Sequence, residues 1–140
     1  MEEILLVGNP NAGKTTFYNS LVKANEHVGN WHGVTVEEKK KEFSLKGEKF
    51  VLVDTPGIYS LSPLSFEEEV SVKLIENSNS KIINICDLNN LQRNLYLTLC
   101  LIESGRDICV VLNEIDKRQK YKVDKNKLEK LLGVKVLELN

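Results

Sequence analysis

The stretch VGNPNAGKTTFYNSL, residues 7–21, leaves an apolar run, turns through small residues and resumes with helix formers. Within it, Gly8-Asn9-Pro10-Asn11-Ala12-Gly13-Lys14-Thr15 fits GxxxxGK[ST]. The strand-like EILLV (3–7) precedes it and a helical segment from about Lys14 to Lys23 follows, the context this motif requires. Glycines let the backbone wrap with its N–H groups inward, forming a concave anion nest at a positive helix end. Lys14 supplies a point charge to outer phosphates, and the Thr15 hydroxyl reaches a magnesium ion. A turn with a purely structural role would not need the Lys-Thr pair.

Outward from this loop, apolar runs of strand length alternate with helical periodicity. Residues 25–37, NEHVGNWHGVTVE, have no periodicity and read as a loop. EKKKEFSL and KFVLV, joined at Lys46-Gly47-Glu48, read as a hairpin, and the lysines of the first mark it as an exposed edge strand. Beyond Pro56-Gly57 and Pro63 follow a helix from about Phe66 to Asn77, the strand KIINIC, and a helix from about Leu91 to Ser104. In that second helix Leu91, Leu95, Leu99 and Ile102 recur at helical spacing. DICVVL is a strand, Asp124 to Leu132 a charged helix ended by Gly133, and VKVLEL a last strand. Such alternation specifies an α/β fold: a mainly parallel sheet with one antiparallel edge strand and helices on both faces. Ligands in such folds bind beyond the carboxyl ends of the strands.

The chain has 140 residues, enough for one domain with its own core. Nineteen basic against twenty acidic side chains leave it near neutral, which gives no electrostatic case for nucleic acid or an anionic membrane as partner. A membrane-crossing helix needs roughly 20 consecutive apolar residues, and the strongest apolar stretch, NLYLTLCLI, falls far short. MEEILLVG lacks the basic and apolar regions of a secretion signal. Cys86, Cys100 and Cys109 sit singly in apolar runs, a pattern of buried small hydrophobes rather than disulfides or a metal site.

Two further segments decide which nucleotide fits. Asp54-Thr55-Pro56-Gly57 follows the strand KFVLV, so a carboxylate emerges at the same sheet edge as the phosphate loop. There it can hold a magnesium water, while the Gly57 N–H can meet a terminal phosphate. Asn113-Glu114-Ile115-Asp116 follows DICVVL with the spacing NxxD. A carboxylate at that place accepts from guanine's N1–H and exocyclic amine, and adenine would leave it unpaired. Sites of this kind discriminate by about 10⁴-fold or more. Either segment alone is common by chance; in this order, each after its own strand, they favour a guanine nucleotide.

GNPNAGKTT, VGNWHGVTVE, DTPGIYSL and CDLNNLQRNLYLTLCLIE together resemble the cytosolic G domain of the bacterial and archaeal ferrous iron transport protein B family, from about Ile4 to Leu139. VGNW-x-GVTVE and the RNLYLTL helix are the specific parts of the resemblance. It implies a P-loop NTPase fold of the Ras-like G-domain type and a Mg²⁺-dependent GTPase acting as the regulatory head of an Fe²⁺ transporter. The family's helical and polytopic membrane domains, absent here, would be its partners, at the cytoplasmic face of the inner membrane. The implied nucleotide contacts are Gly8, Asn9, Pro10, Asn11, Ala12, Gly13, Lys14, Thr15 and Thr16, then Gly33, Val34, Thr35, Val36 and Glu37. Asp54, Thr55, Pro56, Gly57, Asn113, Glu114 and Asp116 complete them. Thr35 is similar to the switch threonine that closes on magnesium, joining Thr15 and, through water, Asp54. Asn11 resembles the asparagine that holds K⁺ in potassium-stimulated members, with backbone carbonyls near Gly29 and Trp31 completing the shell. Its amide could instead brace the loop, and Trp31 could be an exposed aromatic that packs when the loop closes.

Ile58 and Tyr59 stand where many small GTPases keep a water-orienting glutamine, so no general base is visible and turnover is expected to be slow. Against the family pattern, NWPG is NWHG here, which places His32 for a stiff proline. Glu114 replaces Lys or Met beside the base, which should weaken binding and hasten release. DTPG stands for the commoner DLPG. VKVLELN stops where a fifth, Ser-Ala-type guanine loop and a covering helix would follow, and an exposed apolar flank there would promote self-association. Two other classes fit the same residues: a nucleotide-responsive binding module with negligible turnover, and a ribosome- or RNA-associated GTPase.

Overall fold

The computed structural model describes residues 1–20, 25–31, 36–116 and 123–139. Seven strands form one sheet in the order β2-β3-β4-β1-β5-β6-β7. They are β1 (Glu2–Gly8), β2 (Asn25–Asn30), β3 (Glu37–Leu45), β4 (Glu48–Asp54), β5 (Lys81–Asp87), β6 (Ile108–Asn113) and β7 (Lys135–Glu138). The helices are α1 (Lys14–Asn19), α2 (Phe66–Glu76), α3 (Leu91–Glu103) and α4 (Lys125–Leu132), and a 3₁₀ turn (Leu88–Asn90) leads into α3. β1 pairs in parallel with β4 and β5, β5 with β6, and β6 with β7. The α/β sheet and nearly all the expected elements are therefore present.

Local chemistry accounts for the boundaries. Lys46 (φ 52) and Gly47 (φ 82) form a two-residue hairpin loop between the paired Leu45 and Glu48; two positive φ values are what a type I′ turn needs. The Ser65 hydroxyl caps α2 by accepting from the Glu68 N–H at 3.1 Å, and Asp124 caps α4 by accepting from the Lys127 N–H at 3.0 Å. Gly133 (φ 72) ends α4 in the left-handed conformation.

One strand, β3, runs antiparallel to the rest, but it is not the outermost one. β3 runs against both β4 and β2, so the lysine-rich strand lies inside the sheet and the segment read as a loop supplies the outer strand β2. The lysines mislead because one of them is buried. Lys41 is 8% exposed, its Nζ donating to the Tyr18 carbonyl at 2.9 Å and lying 4.5 Å from the Tyr18 ring. A long stem flat on the sheet and a cation over a ring at the end of α1 satisfy that charge without solvent.

The larger core cluster joins Leu5, Val7, Ile82, Val110 and Leu112 of the sheet to Ile75 of α2, Leu97 and Leu101 of α3, with Leu128 and Leu132 of α4 packed against it. The smaller one, on α1's side, groups Leu6, Leu52, Ile85 and Val111 with Tyr18. On that side Ile83 and Cys109 are only partly covered and Leu137 is 42% exposed. In α3 the buried positions are Asn94, Leu97, Thr98 and Leu101, while Leu99 of the expected stripe is exposed. The stripe is rotated because Thr98 Oγ1 donates to Asn84 Oδ1 at 2.5 Å, making a polar pair part of the helix–sheet contact.

Candidate nucleotide site

The phosphate loop leaves β1 at Gly8, where a side chain would approach the Ile85 carbonyl to 2.8 Å. Asn11 adopts φ 65, and Gly13 (φ 99) caps α1. A Cβ on Gly13 would lie 1.9 Å from Asn113 Nδ2, so the glycine is needed for both space and conformation. Asn113 Nδ2 in turn donates to the Ala12 carbonyl at 3.3 Å, tying the loop after β6 to the loop after β1.

The segment after β4 is stitched to the same place. The Thr55 N–H and hydroxyl both donate to the Leu6 carbonyl, at 3.2 and 2.7 Å, and the Ile58 N–H donates to the Gly8 carbonyl at 3.0 Å. Gly57 lies so close to Pro10 that a Cβ would come within 2.8 Å of its nitrogen. Thr55 is thus a buried brace whose hydroxyl is already engaged. Ile58 is fully buried in the larger core cluster, so its side chain faces away from the phosphate loop.

Lys14 Nζ donates to the Thr55 carbonyl at 3.0 Å and stands 3.6 Å from Asp54 Oδ1. That oxygen is buried and takes no hydrogen bond among the described residues. Burial pushes the Asp54 carboxyl above its usual range, and Lys14 and Lys39 partly offset it. A buried carboxylate oxygen lacking a donor, beside a lysine and below an open cavity, suits a hydrated divalent cation. The cavity, of about 310 Å³, is lined by Lys14, Val36, Glu37, Lys39, Asp54 and Glu67, among others. Thr15 and Thr16 are exposed on the first turn of α1.

Gly33, Val34 and Thr35, like His32, lie outside the described residues. Gly29 is paired with Glu38 in the β2–β3 ladder, and the Trp31 N–H donates to the Val36 carbonyl at 2.8 Å. β3 and β4 separate β2, which carries Gly29, from β1, which leads into the loop of Asn11. The Trp31 ring is half-buried against α2, bordering a cavity of about 350 Å³ with Phe66, Val70 and Leu74.

A residue that the sequence did not single out is Asn89, in the 3₁₀ turn. Its side chain takes up both main-chain groups of Asp116: the Asp116 N–H donates to Oδ1 at 2.8 Å and Nδ2 donates to the Asp116 carbonyl at 3.1 Å. The consecutive asparagines of CDLNN signal a turn; a partner 27 residues away leaves no mark on spacing. On the far wall of the phosphate loop the Arg93 guanidinium lies 4.6 Å from the Tyr59 ring, which holds the segment after Gly57 against α3.

A family model described as ferrous iron transport protein B matches residues 2–140. The Fe(2+) transporter FeoB of Legionella pneumophila (strain Paris) is 42% identical over 146 residues, which covers 99% of this chain and 19% of that protein. Its counterpart in Salmonella typhimurium (strain LT2) is 43% identical over 141 residues, covering 96% of this chain and 18% of that one. The chain spans about a fifth of the length of these relatives. The solved cytosolic domain of L. pneumophila FeoB matches with a TM-score of 0.91 at 41% identity, over 99% of this chain and 62% of that one. A GDP-bound mutant of the S. thermophilus FeoB G-domain matches with a TM-score of 0.88 at 45% identity, over 99% of this chain and 54% of that one.

Proposed function

The chain belongs to the ferrous iron transport protein B family, and we propose from that premise that it binds and slowly hydrolyses GTP as the regulatory G domain of a ferrous iron transporter. The observation that carries this is the bond from Asn113 to the Ala12 carbonyl. It joins the base-reading loop to the phosphate loop, so that the two halves of a nucleotide meet one rigid surface. The GDP-bound relative supports the same ligand.

This reading gives each site residue a role. The backbone N–H groups of the loop from Gly8 to Gly13 would face the phosphates, Pro10 having none and Ala12 giving its own to the Asn9 carbonyl in this structure. Lys14, paired in this structure with Asp54 and the Thr55 carbonyl, turns to the phosphate oxygens when they arrive. Thr15 and Asp54, the latter through water, would hold Mg²⁺, which neutralises developing phosphate charge; Thr35 would join them. The Asp116 carboxylate reads guanine. Asn11, exposed at the loop's tip, would hold K⁺, whose charge beside the bridging oxygens does the work of an arginine finger, a part worth about 10³–10⁵ in rate elsewhere. The backbone carbonyls near Gly29 and Trp31 would complete that ion's shell, Gly29 being paired with Glu38 in the β2–β3 ladder of this structure. The domain itself would lie on the cytoplasmic side, held at the inner membrane by the rest of the transporter.

Burial of Ile58 favours a second reading, a nucleotide-responsive module with negligible turnover, since that side chain is withdrawn into the core and the Tyr59 ring beside it lies against Arg93. Phosphate release from GTP separates the two. We expect turnover below about 1 s⁻¹ in Na⁺, the low end for kinases, a rise of roughly tenfold in K⁺, and loss of that rise in Asn11→Ala. No release in either salt would establish the module instead.

A further inference from the structure

We propose that Asn89 is a positioning residue for Asp116, and that through it the 3₁₀ turn sets how strongly the site prefers guanine to a purine without the exocyclic amine. The inference rests on the guanine reading above. One amide side chain engages both the N–H and the carbonyl of a single residue, at 2.8 and 3.1 Å. Two bonds to one residue restrain its rotation as well as its position, and the carboxylate is carried on that same Cα.

The turn that presents Asn89 is itself held. The Asn89 N–H donates to Asp87 Oδ1 at 2.9 Å, and Asn90 Nδ2 donates to Asp87 Oδ2 at 3.2 Å. The Asp87 N–H donates to Asn94 Oδ1 at 3.2 Å, and Asn94 Nδ2 donates to the Asn90 carbonyl at 2.8 Å. Asp87 is 7% exposed and Asn94 4%, so the bond between these two is shielded from competing water. The loop that reads the base is thereby anchored at both ends: at Asn113 through Ala12, and at Asp116 through Asn89. Between them Ile115 is 49% exposed and gives no comparable anchor. A carboxylate that must meet two adjacent donors tolerates little displacement. Loosening Asp116 should therefore cost selectivity, while Lys14 and the phosphate loop, which Asn89 does not touch, keep their grip.

The test is calorimetric titration of the full chain with GDP, IDP and ADP in excess Mg²⁺. Inosine keeps N1–H and lacks the exocyclic amine. Asn89→Ala should lower the ratio of GDP to IDP affinity about tenfold, equivalent to 1.4 kcal/mol, with IDP binding changed much less. Asn89→Ser, which keeps one short polar contact, should fall between; it carries the test if the alanine variant does not fold. GDP and IDP weakening in parallel, together with a lowered melting temperature, would reduce Asn89 to a structural brace and overturn the proposal, as would no change. A wild-type chain that fails to prefer GDP over IDP and ADP overturns the guanine reading itself. Preference in the wild type retained in Asn89→Ala overturns this inference alone.

Discussion

At the centre of the sheet, Leu5, Leu6 and Val7 of β1, Ile85 of β5, and Val110 and Leu112 of β6 have no exposed surface; at its edge, Glu26, His27, Val28, Gly29 and Asn30 of β2 are all exposed. The central strands are set by burial and their loops are then cross-tied, Asn113 to Ala12, Ile58 to Gly8, Asp116 to Asn89. β2 is held by its ladder to β3, by the exposed His27–Glu42 contact at 3.5 Å, and by Trp31 against α2. The difference teaches how one sheet serves two tasks. Under the proposed function, nucleotide recognition would sit where displacement is expensive, and the segment that a nucleotide would have to move would sit where it is cheap.

Paired truncations should break that contrast if it is wrong. Ile85→Ala is expected to cost about 3–4 kcal/mol of unfolding free energy and Val28→Ala less than about 0.5 kcal/mol, both by denaturant titration. Similar costs would show the edge to be as tightly built as the centre. Next in size is Gly13→Ala. The new methyl meets Asn113 Nδ2, and its φ of 99 disfavours any side chain, so GDP affinity should fall at least about 100-fold in a chain whose far-ultraviolet spectrum is unchanged. Retained affinity would show that the cross-tie between phosphate and base loops is dispensable.

The smallest effect concerns Asp54. Its folded pKa is raised, chiefly by burial. The folded state therefore binds the proton more readily than the unfolded chain. The resulting stabilisation is complete below the unfolded pKa and is lost as pH rises through the folded value. Without metal, Asp54→Asn should melt above the wild type near neutral pH, and the gap should close as pH falls toward about 4. Excess Mg²⁺ and GDP should reverse the order at neutral pH, because the charged form is then the useful one. A gap that widens in acid would mean that Lys14 outweighs burial.

What the residues disclose in order along the chain follows the same division. The phosphate loop, β1, β5, β6 and the approximate starts of α2 and α4 are legible because apolar runs, helical spacing and Gly13 act locally. β2 is not, because NEHVGN has no alternation and becomes a strand only through the partner it finds in β3. The face of α3 is displaced because Asn94 and Thr98 look like surface residues until Asp87 and Asn84 are placed opposite them. Lys41 reads as solvent-facing for want of the Tyr18 carbonyl. Asn89 escapes because a clamp between distant loops has no periodicity to betray it.

The anchoring of the stretch that begins at Gly57 has a mechanical corollary. Ile58 is nailed into the core, and the Ser71 hydroxyl fastens α2 to the Pro56 carbonyl at 2.6 Å. Arg106 grips the far end through the carbonyls of Ile75 and Ser80. A rod riveted at three places does not swing. Between Tyr59, held by Arg93, and Ser65, which caps α2, lies an exposed stretch in which Leu64 is 84% exposed. Under the proposed function, a signal passed outward from this half of the molecule is expected in the shape of that stretch more than in the travel of α2.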